Sequence, residues 1–352
     1  MIIENLVRKN ILNLKPYVCA RDMYSEGILL DANENSIGSV AAGYDELTLN
    51  RYPDPHQAEL RKAVGEYYGV DEKKLFFGVG SDEIIDLLIR IFCEPAKDAV
   101  IILDPTYGMY KVACDINNVE TISTNLNDEF QIDFDNIQRD YRNNVKLIFA
   151  CSPNNPTGNL LKKEDVERLC KLYNSIIVID EAYIDFSGDN SLINEAGELN
   201  NLVVLRTFSK AWGLAAIRLG YCIADEVITR LLFNIKAPYT INSLTKKTAL
   251  EAIQNNSRKD DFIKLLTSER ERVKEELLAI PEVPIVYPSD ANYLLFQCEN
   301  ATEVQKSMAL DGVVIRDRSS HPMLRNCLRV SIGTVEENNK FLTALKKQIC
   351  RK

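Results

Sequence analysis

Between residues 75 and 224, seven short apolar runs alternate with polar turns and amphipathic stretches, and this alternation limits the fold more than any other feature of the chain. The runs are LFFGV at 75–79, AVIILD at 99–104, VETIST at 119–124, VKLIFA at 145–150, IIVID at 176–180, LVVLRT at 202–207 and LGYCIA at 219–224. Each is too short for a buried helix, and most are rich in the β-branched residues that strands prefer. Helical spacing appears between and after them, at 81–92, 107–116, 162–173 and 225–235. Strands that are apolar on both faces and alternate with helices predict an α/β fold, with a mainly parallel sheet flanked by helices. Such sheets bind ligands beyond the carboxyl ends of their strands.

The character changes near residue 240. Helices are expected at 243–254, 261–280, 302–310 and 335–349, with short strands in PIVYP, NYLLFQC, VVIRD and CLRVSI. That pattern predicts a smaller α+β domain. The expected division is an N-terminal arm and small-domain segment over 1–34, a large domain over 35–240 and a small C-terminal domain over 241–352. Within the first part, ILLDAN at 28–33 reads as a short strand, and Ile3, Leu6, Val7, Ile11 and Leu14 give the arm an apolar face. A helix is expected at 57–68 with Leu60, Val64 and Tyr67 on one side.

Composition narrows the class of function. With 46% hydrophobic and 26% charged residues, the chain reads as a globular protein. A net charge of −9 with no basic block argues against nucleic acid as a partner. The N-terminus has neither a signal peptide nor a membrane span. Nine scattered cysteines without a CxxC pair point to reduced thiols and a cytoplasmic location. Only His56 and His321 are present, with no metal-binding spacing, so neither a metal site nor histidine catalysis is expected.

Three segments carry chemistry. VVLRTFSKAWGLAAIRLG at 203–220 is a buried strand ending in Thr207, Ser209 and Lys210, with Arg218 beyond. By itself such a lysine is more often a solvated loop residue. Placed at the end of a buried strand, however, its amine loses hydration and becomes nucleophilic. The neighbouring hydroxyls and guanidinium can hold a phosphate. Pyridoxal phosphate is the cofactor that needs both, since its carbonyl condenses with a lysine and its phosphate needs an anchor. Its pyridine nitrogen also calls for a carboxylate, which Asp180 at the end of IIVIDEAY can supply. Asn155 in SPNNPTG and Tyr183 can donate to the phenolic oxygen. Gly80, Ser81 and Asp82 open a helix directly after a strand, where free backbone amides attract an anion. Ser81 or Asp82 is the expected cap of that helix.

Taken together with LKPY (14–17), LDANEN (30–35), RYPD (51–54), GSDEIIDLLIR (80–90), DPTYGMY (104–110), IRD (315–317) and LRVSIGT (328–334), these segments resemble the fold-type I PLP-dependent aminotransferases. Among them the chain is most similar to the histidinol-phosphate aminotransferase family, over almost its whole length. The resemblance implies that Lys210 bonds to the cofactor and carries protons during transamination, that Tyr107 stacks on the ring, and that Tyr52 reaches the cofactor phosphate of a second subunit. A homodimer is therefore implied. It also implies that Tyr17, Asn33, Arg316 and Arg329 bind substrate, with histidinol phosphate and glutamate/2-oxoglutarate as the exchanging pair. Two other activities share most of these residues: transamination of aromatic amino acids, and decarboxylation of a phosphorylated amino acid. A ligand-sensing domain would also keep the lysine. His321 and Arg325 have no assigned role and are expected in solvent.

Overall fold

The computed structural model describes residues 1–24 and 26–349. Seven strands form the larger sheet: β1 (Leu75–Val79), β2 (Ala99–Asp104), β3 (Glu120–Asn125), β4 (Val145–Cys151), β5 (Ile176–Asp180), β6 (Leu202–Thr207) and β7 (Leu219–Ile223). Their order is β1-β7-β6-β5-β4-β2-β3. All neighbours are parallel except at β7, which runs antiparallel to both β1 and β6. The expected α/β architecture is present.

Burial follows the two-residue period of a strand. On β5, Ile177 and Ile179 join the core on one face of the sheet, while Ile176 and Val178 join the core on the other. On β6, Leu202 and Val204 face the first core, and Val203 and Leu205 the second. Both faces are dry, which is why these strands read as unbroken apolar runs. Eight cysteines are free and buried, and the ninth, Cys350, lies outside the described residues.

A second sheet contains β8 (Ile285–Val286), β9 (Tyr293–Gln297), β10 (Arg316–Asp317) and β11 (Cys327–Ser331), ordered β10-β11-β9-β8 and antiparallel throughout. Helices Ala301–Leu310 and Val335–Ile349 cover one of its faces, together with the end of the 23-residue helix Asn256–Leu278. This helix begins five residues before the apolar pattern indicates. Its first turns include Lys259, which is buried because its amine bonds the Tyr67 hydroxyl at 2.9 Å and lies over the Trp212 ring. Helix Ser243–Gln254 buries Ala249 and Ile253 in the core of the larger sheet, although the sequence groups it with the smaller domain.

Two further expectations are corrected. Residues 28–33 form no strand, and Ile28 and Leu30 are exposed. The segment is tied down through Glu34, which bonds Arg21 at 3.0 Å and Arg51 at 2.8 Å. The helix after β1 (Ser81–Phe92) is capped by Gly80, so Ser81 and Asp82 sit inside its first turn. The arm follows its pattern in part: Ile11 packs only partly against the core and Leu14 is exposed. Ile3, Leu6 and Val7 are buried against that helix, and the Arg8 amide donates to the Ile91 carbonyl at 2.9 Å.

Candidate active site

The carboxyl ends of β4, β5 and β6 meet the N-terminus of helix Ser81–Phe92 around a cavity of about 150 Å³. Lys210, Asp180, Asn155, Tyr183, Tyr107, Thr207, Ser209, Arg218, Gly80, Ser81 and Asp82 all line it. Cys151, Ala182 and Ala215 complete the wall. Residues separated by up to 138 positions are thus brought together by the parallel order of the strands.

Glycine makes the phosphate side of the cavity possible. Gly80 has φ of 75°, and a Cβ there would lie 2.6 Å from the Arg218 guanidinium. Gly220 on β7 sits directly against the Ser81 amide, where any side chain would collide with backbone. The Gly80 amide donates to the Arg218 carbonyl at 2.9 Å, and Arg218 itself is held in the left-handed region with φ of 55°. That conformation is costly for a non-glycine residue and brings its guanidinium within 3.6 Å of Asp82.

Asp180 is the electrostatic centre. It is buried, accepts from Tyr110 Oη at 2.8 Å through Oδ2, and from the Ala182 amide at 3.0 Å through Oδ1. Burial raises its pKa to about 6, against the opposing pull of these donors and Lys210. Lys210 opens onto the cleft, yet enough protein surrounds its amine to lower its pKa. Burial is the main cause, Arg329 and Arg218 add to it, and Asp180 and Asp82 oppose it. Its Nζ lies 5.4 Å from the centre of the Tyr183 ring. Burial also pushes the Tyr183 and Tyr107 hydroxyls upward, so both stay protonated donors. Asn155 Nδ2 donates to Tyr183 Oη at 3.3 Å, and Tyr107 Oη donates to Asp82 at 3.2 Å.

Alternate side chains along the same strands do structural work on the far side. Glu181 and Arg206, each next to a site residue, form a buried pair at 3.2 Å, and Arg206 also reaches Asp185 at 2.6 Å. A larger cleft of about 610 Å³ adjoins this network, but Arg206, Asp185 and Lys259 already have partners there. It lies away from Lys210, and we place the chemistry in the smaller cavity.

The substrate-side residues are placed less uniformly. Arg329 on β11 donates to Asn155 Oδ1 and reaches the cavity from the smaller sheet. Arg316 lies directly opposite Arg329 in the β10–β11 register. Tyr17 and Asn33 are exposed and do not line the cavity, nor does Tyr52, which stacks on Tyr239 with ring centres 4.4 Å apart. Arg325 is exposed as expected. His321 is not simply in solvent: it is half-buried, its Nδ1 accepts from the Met323 amide at 3.3 Å, and Asp104 of the larger sheet acts on it electrostatically. Tyr110 is the site residue that the sequence reading passes over. It lies three residues after Tyr107, in the first turn of a helix that runs Met109–Ile116 and so starts two residues later than the expected 107–116, and only its nearness to Tyr107 in the chain hints at it.

A lysine amine, a buried carboxylate, two protonated phenols and a glycine-lined helix N-terminus beside an arginine fit pyridoxal 5′-phosphate and define a fold-type I PLP-dependent enzyme. The sequence model described as aminotransferase class I and II matches residues 26–345. A histidinol-phosphate aminotransferase from Cytophaga hutchinsonii is 44% identical over 98% of this chain and 98% of its own. The crystal structure of histidinol-phosphate aminotransferase from Clostridium acetobutylicum superimposes with a TM-score of 0.78 at 28% identity, covering 85% of this chain and 90% of that one. The Sinorhizobium meliloti enzyme, in complex with pyridoxal-5′-phosphate, shares the fold with a TM-score of 0.78 at 21% identity over 91% of this chain and 89% of its own. The chain belongs to the class I and II aminotransferases, within the histidinol-phosphate aminotransferase family. It is a PLP-dependent aminotransferase.

Proposed function

We propose that the chain transfers the amino group of L-histidinol phosphate to 2-oxoglutarate, giving imidazole-acetol phosphate and L-glutamate, a step of histidine biosynthesis. The observation that carries this reading is the pairing of Arg316 with Arg329 across β10 and β11, beside the Lys210 cavity. A phosphate ester needs that local positive charge, whereas a neutral aromatic ring does not. The 44% identity to a relative of that name supports the same conclusion.

Pyridoxal phosphate, when bound, supplies the carbonyl that accepts the amino group and the ring that withdraws electrons from the substrate α-carbon. Asp180 would hold the ring nitrogen protonated, and Tyr110 and the Ala182 amide fix the carboxylate for that task. Asn155 and Tyr183 donate to the phenolic oxygen. Thr207, Ser209, Arg218 and the amides of Gly80, Ser81 and Asp82 hold the phosphate, while Tyr107 covers the ring. The lowered pKa of Lys210 favours a neutral amine, which with the cofactor in place would take up the proton lost by the substrate α-carbon and hold it for return.

Arg329 holds the α-carboxylate of glutamate or the phosphate of histidinol phosphate; Arg316 acts chiefly on the phosphate. Tyr17 and Asn33 complete the substrate side. The working unit is a homodimer in which Tyr52 serves the partner's cofactor. Ile28, Leu30, Ile37 and Val40 are largely exposed here and offer apolar surface for a second copy. No described helix is long and apolar enough to cross a membrane. With the buried free thiols, this supports a cytoplasmic enzyme.

Half-reaction spectroscopy tests the substrate assignment. Histidinol phosphate and glutamate should each convert the PLP form to the aminated form, and phenylalanine should do so far more slowly. Conversion by phenylalanine at a comparable specificity constant would move the assignment to an aromatic aminotransferase.

A further inference from the structure

Arg318 stands two residues beyond Arg316, on the chain continuing from β10, and its amide donates to the Cys327 carbonyl at 2.9 Å. The ladder between these segments is therefore still intact at residue 318. Since strand side chains alternate, Arg316 and Arg318 share a face with their cross-strand neighbours Arg329 and Cys327. The packing identifies that face. Cys327 and Leu295 belong to the core of the larger sheet, whereas Leu328 and Val330 belong to the separate core of the smaller domain. The three arginines thus share the face of the smaller sheet that turns Cys327 toward the larger domain; Arg329 reaches Asn155 there, while Arg316 is exposed and with Arg329 also lines a cleft of about 490 Å³.

Their charge has no carboxylate partner on that face. Among the described residues, no ion pair involves Arg316, Arg318 or Arg329, and the neutral Asn155 is the acceptor for Arg329. Asp317 is between two of them in sequence, but its oxygens are engaged by the Thr302 hydroxyl at 2.6 Å and the Ser319 amide at 2.8 Å. Buried Nε atoms of both Arg318 and Arg329 have no hydrogen-bond acceptor. Burial, followed by Arg329 and Arg316, lowers the Arg318 pKa, so the three cations act on one another. Like charges placed side by side, two of them half-buried and one exposed, destabilise the site, and an anion of more than one charge relieves that cost.

We propose that Arg318 is a third arginine of the substrate anion pocket, which binds a doubly charged phosphate ester and discriminates it from a single carboxylate. This rests on the reading of a phosphorylated amine as the amino donor. Arg329 alone suffices for a carboxylate; Arg316 and Arg318 answer the extra charge and oxygen of a phosphate.

The test uses the PLP-loaded enzyme with Arg318→Gln and Arg318→Lys. Half-reactions with histidinol phosphate and with glutamate are followed spectroscopically, and binding of inorganic phosphate is measured by calorimetry. Arg318→Gln should lose about ten- to a hundredfold in kcat/KM with histidinol phosphate, mainly through KM, the scale of a lost charge-assisted hydrogen bond. With glutamate it should change by less than about threefold, which also shows that the variant is folded. Phosphate affinity should fall in parallel, and Arg318→Lys should restore part of it. Equal losses with both donors, or unchanged phosphate affinity, would overturn the role of Arg318. If histidinol phosphate is consumed normally by Arg318→Gln, the inference fails while the assigned substrate stands. If the unaltered enzyme rejects histidinol phosphate but binds phosphate in an Arg318-dependent way, the anion site stands and the assigned substrate falls.

Discussion

Tyr110 Oη donates a 2.8 Å hydrogen bond to Asp180 Oδ2, joining a fully buried phenol to the carboxylate at the end of β5. The Tyr110 ring is held by stacking on Phe149, with centres 5.0 Å apart and planes 11° from parallel. The carboxylate is therefore positioned by a side chain that can neither rotate nor exchange with water. Replacing Tyr110 by Phe should keep the stacking and remove only the donor. Above pH 6, where Asp180 is charged, cofactor-free protein should lose about 1–3 kcal/mol in urea unfolding. The loss should shrink toward pH 4, where a neutral acid needs the donor less.

Asp180 also imposes a pH dependence with a definite sign. Its folded pKa of about 6 lies above its ordinary 3.8, so the folded state binds more protons between those values. Stability from this group is fully present below about pH 4 and is lost as pH rises through 6. Cofactor-free protein should weaken across that window by as much as about 3 kcal/mol relative to Asp180→Asn, which cannot titrate. Parallel stability curves for the two proteins would contradict the assignment.

Lys210→Ala should abolish turnover without abolishing cofactor binding, because the residues proposed to hold the phosphate, the ring nitrogen and the ring face are others of the cavity. Borohydride should no longer fix the cofactor to the chain. Covalent fixation that persists in this variant would identify a different lysine as the partner.

Tyr52 does not line its own cavity but stacks on Tyr239, and its backbone amide donates to Glu34 at 2.7 Å. If it serves the second subunit, inactive Lys210→Ala and inactive Tyr52→Ala chains should complement each other. A mixed dimer carries one site with both lesions and one with neither, so activity should return to roughly half per mixed dimer. Demonstrated subunit exchange with no recovery would exclude action in trans.

Arg316→Ala should cost about 2–5 kcal/mol with histidinol phosphate, or roughly 30-fold to a few thousandfold in specificity constant, and distinctly less with glutamate. Arg329→Ala should depress both half-reactions, since its guanidinium reaches the Asn155 side of the cavity that both substrates share. Stopped-flow measurement of each half-reaction separates the two variants.

The strands and most helices were determined by local pattern. Runs such as IIVID and LVVLRT have no polar face to show water, so they become central strands wherever they pair. Lys210, Asp180 and Arg218 were legible for a related reason: each follows or precedes such a run, and strand ends are where polar side chains can gather around a ligand. Tertiary structure alone decided what depends on partners distant in sequence. It placed β7 antiparallel between β1 and β6, brought Tyr110 to Asp180, and set Arg316 opposite Arg329. It also left ILLDAN out of both sheets, although its composition suits a strand, because a strand forms only where it finds a partner to bond. Alternation of apolar residues states which surfaces must be buried; only the closed packing of both sheets determines against what.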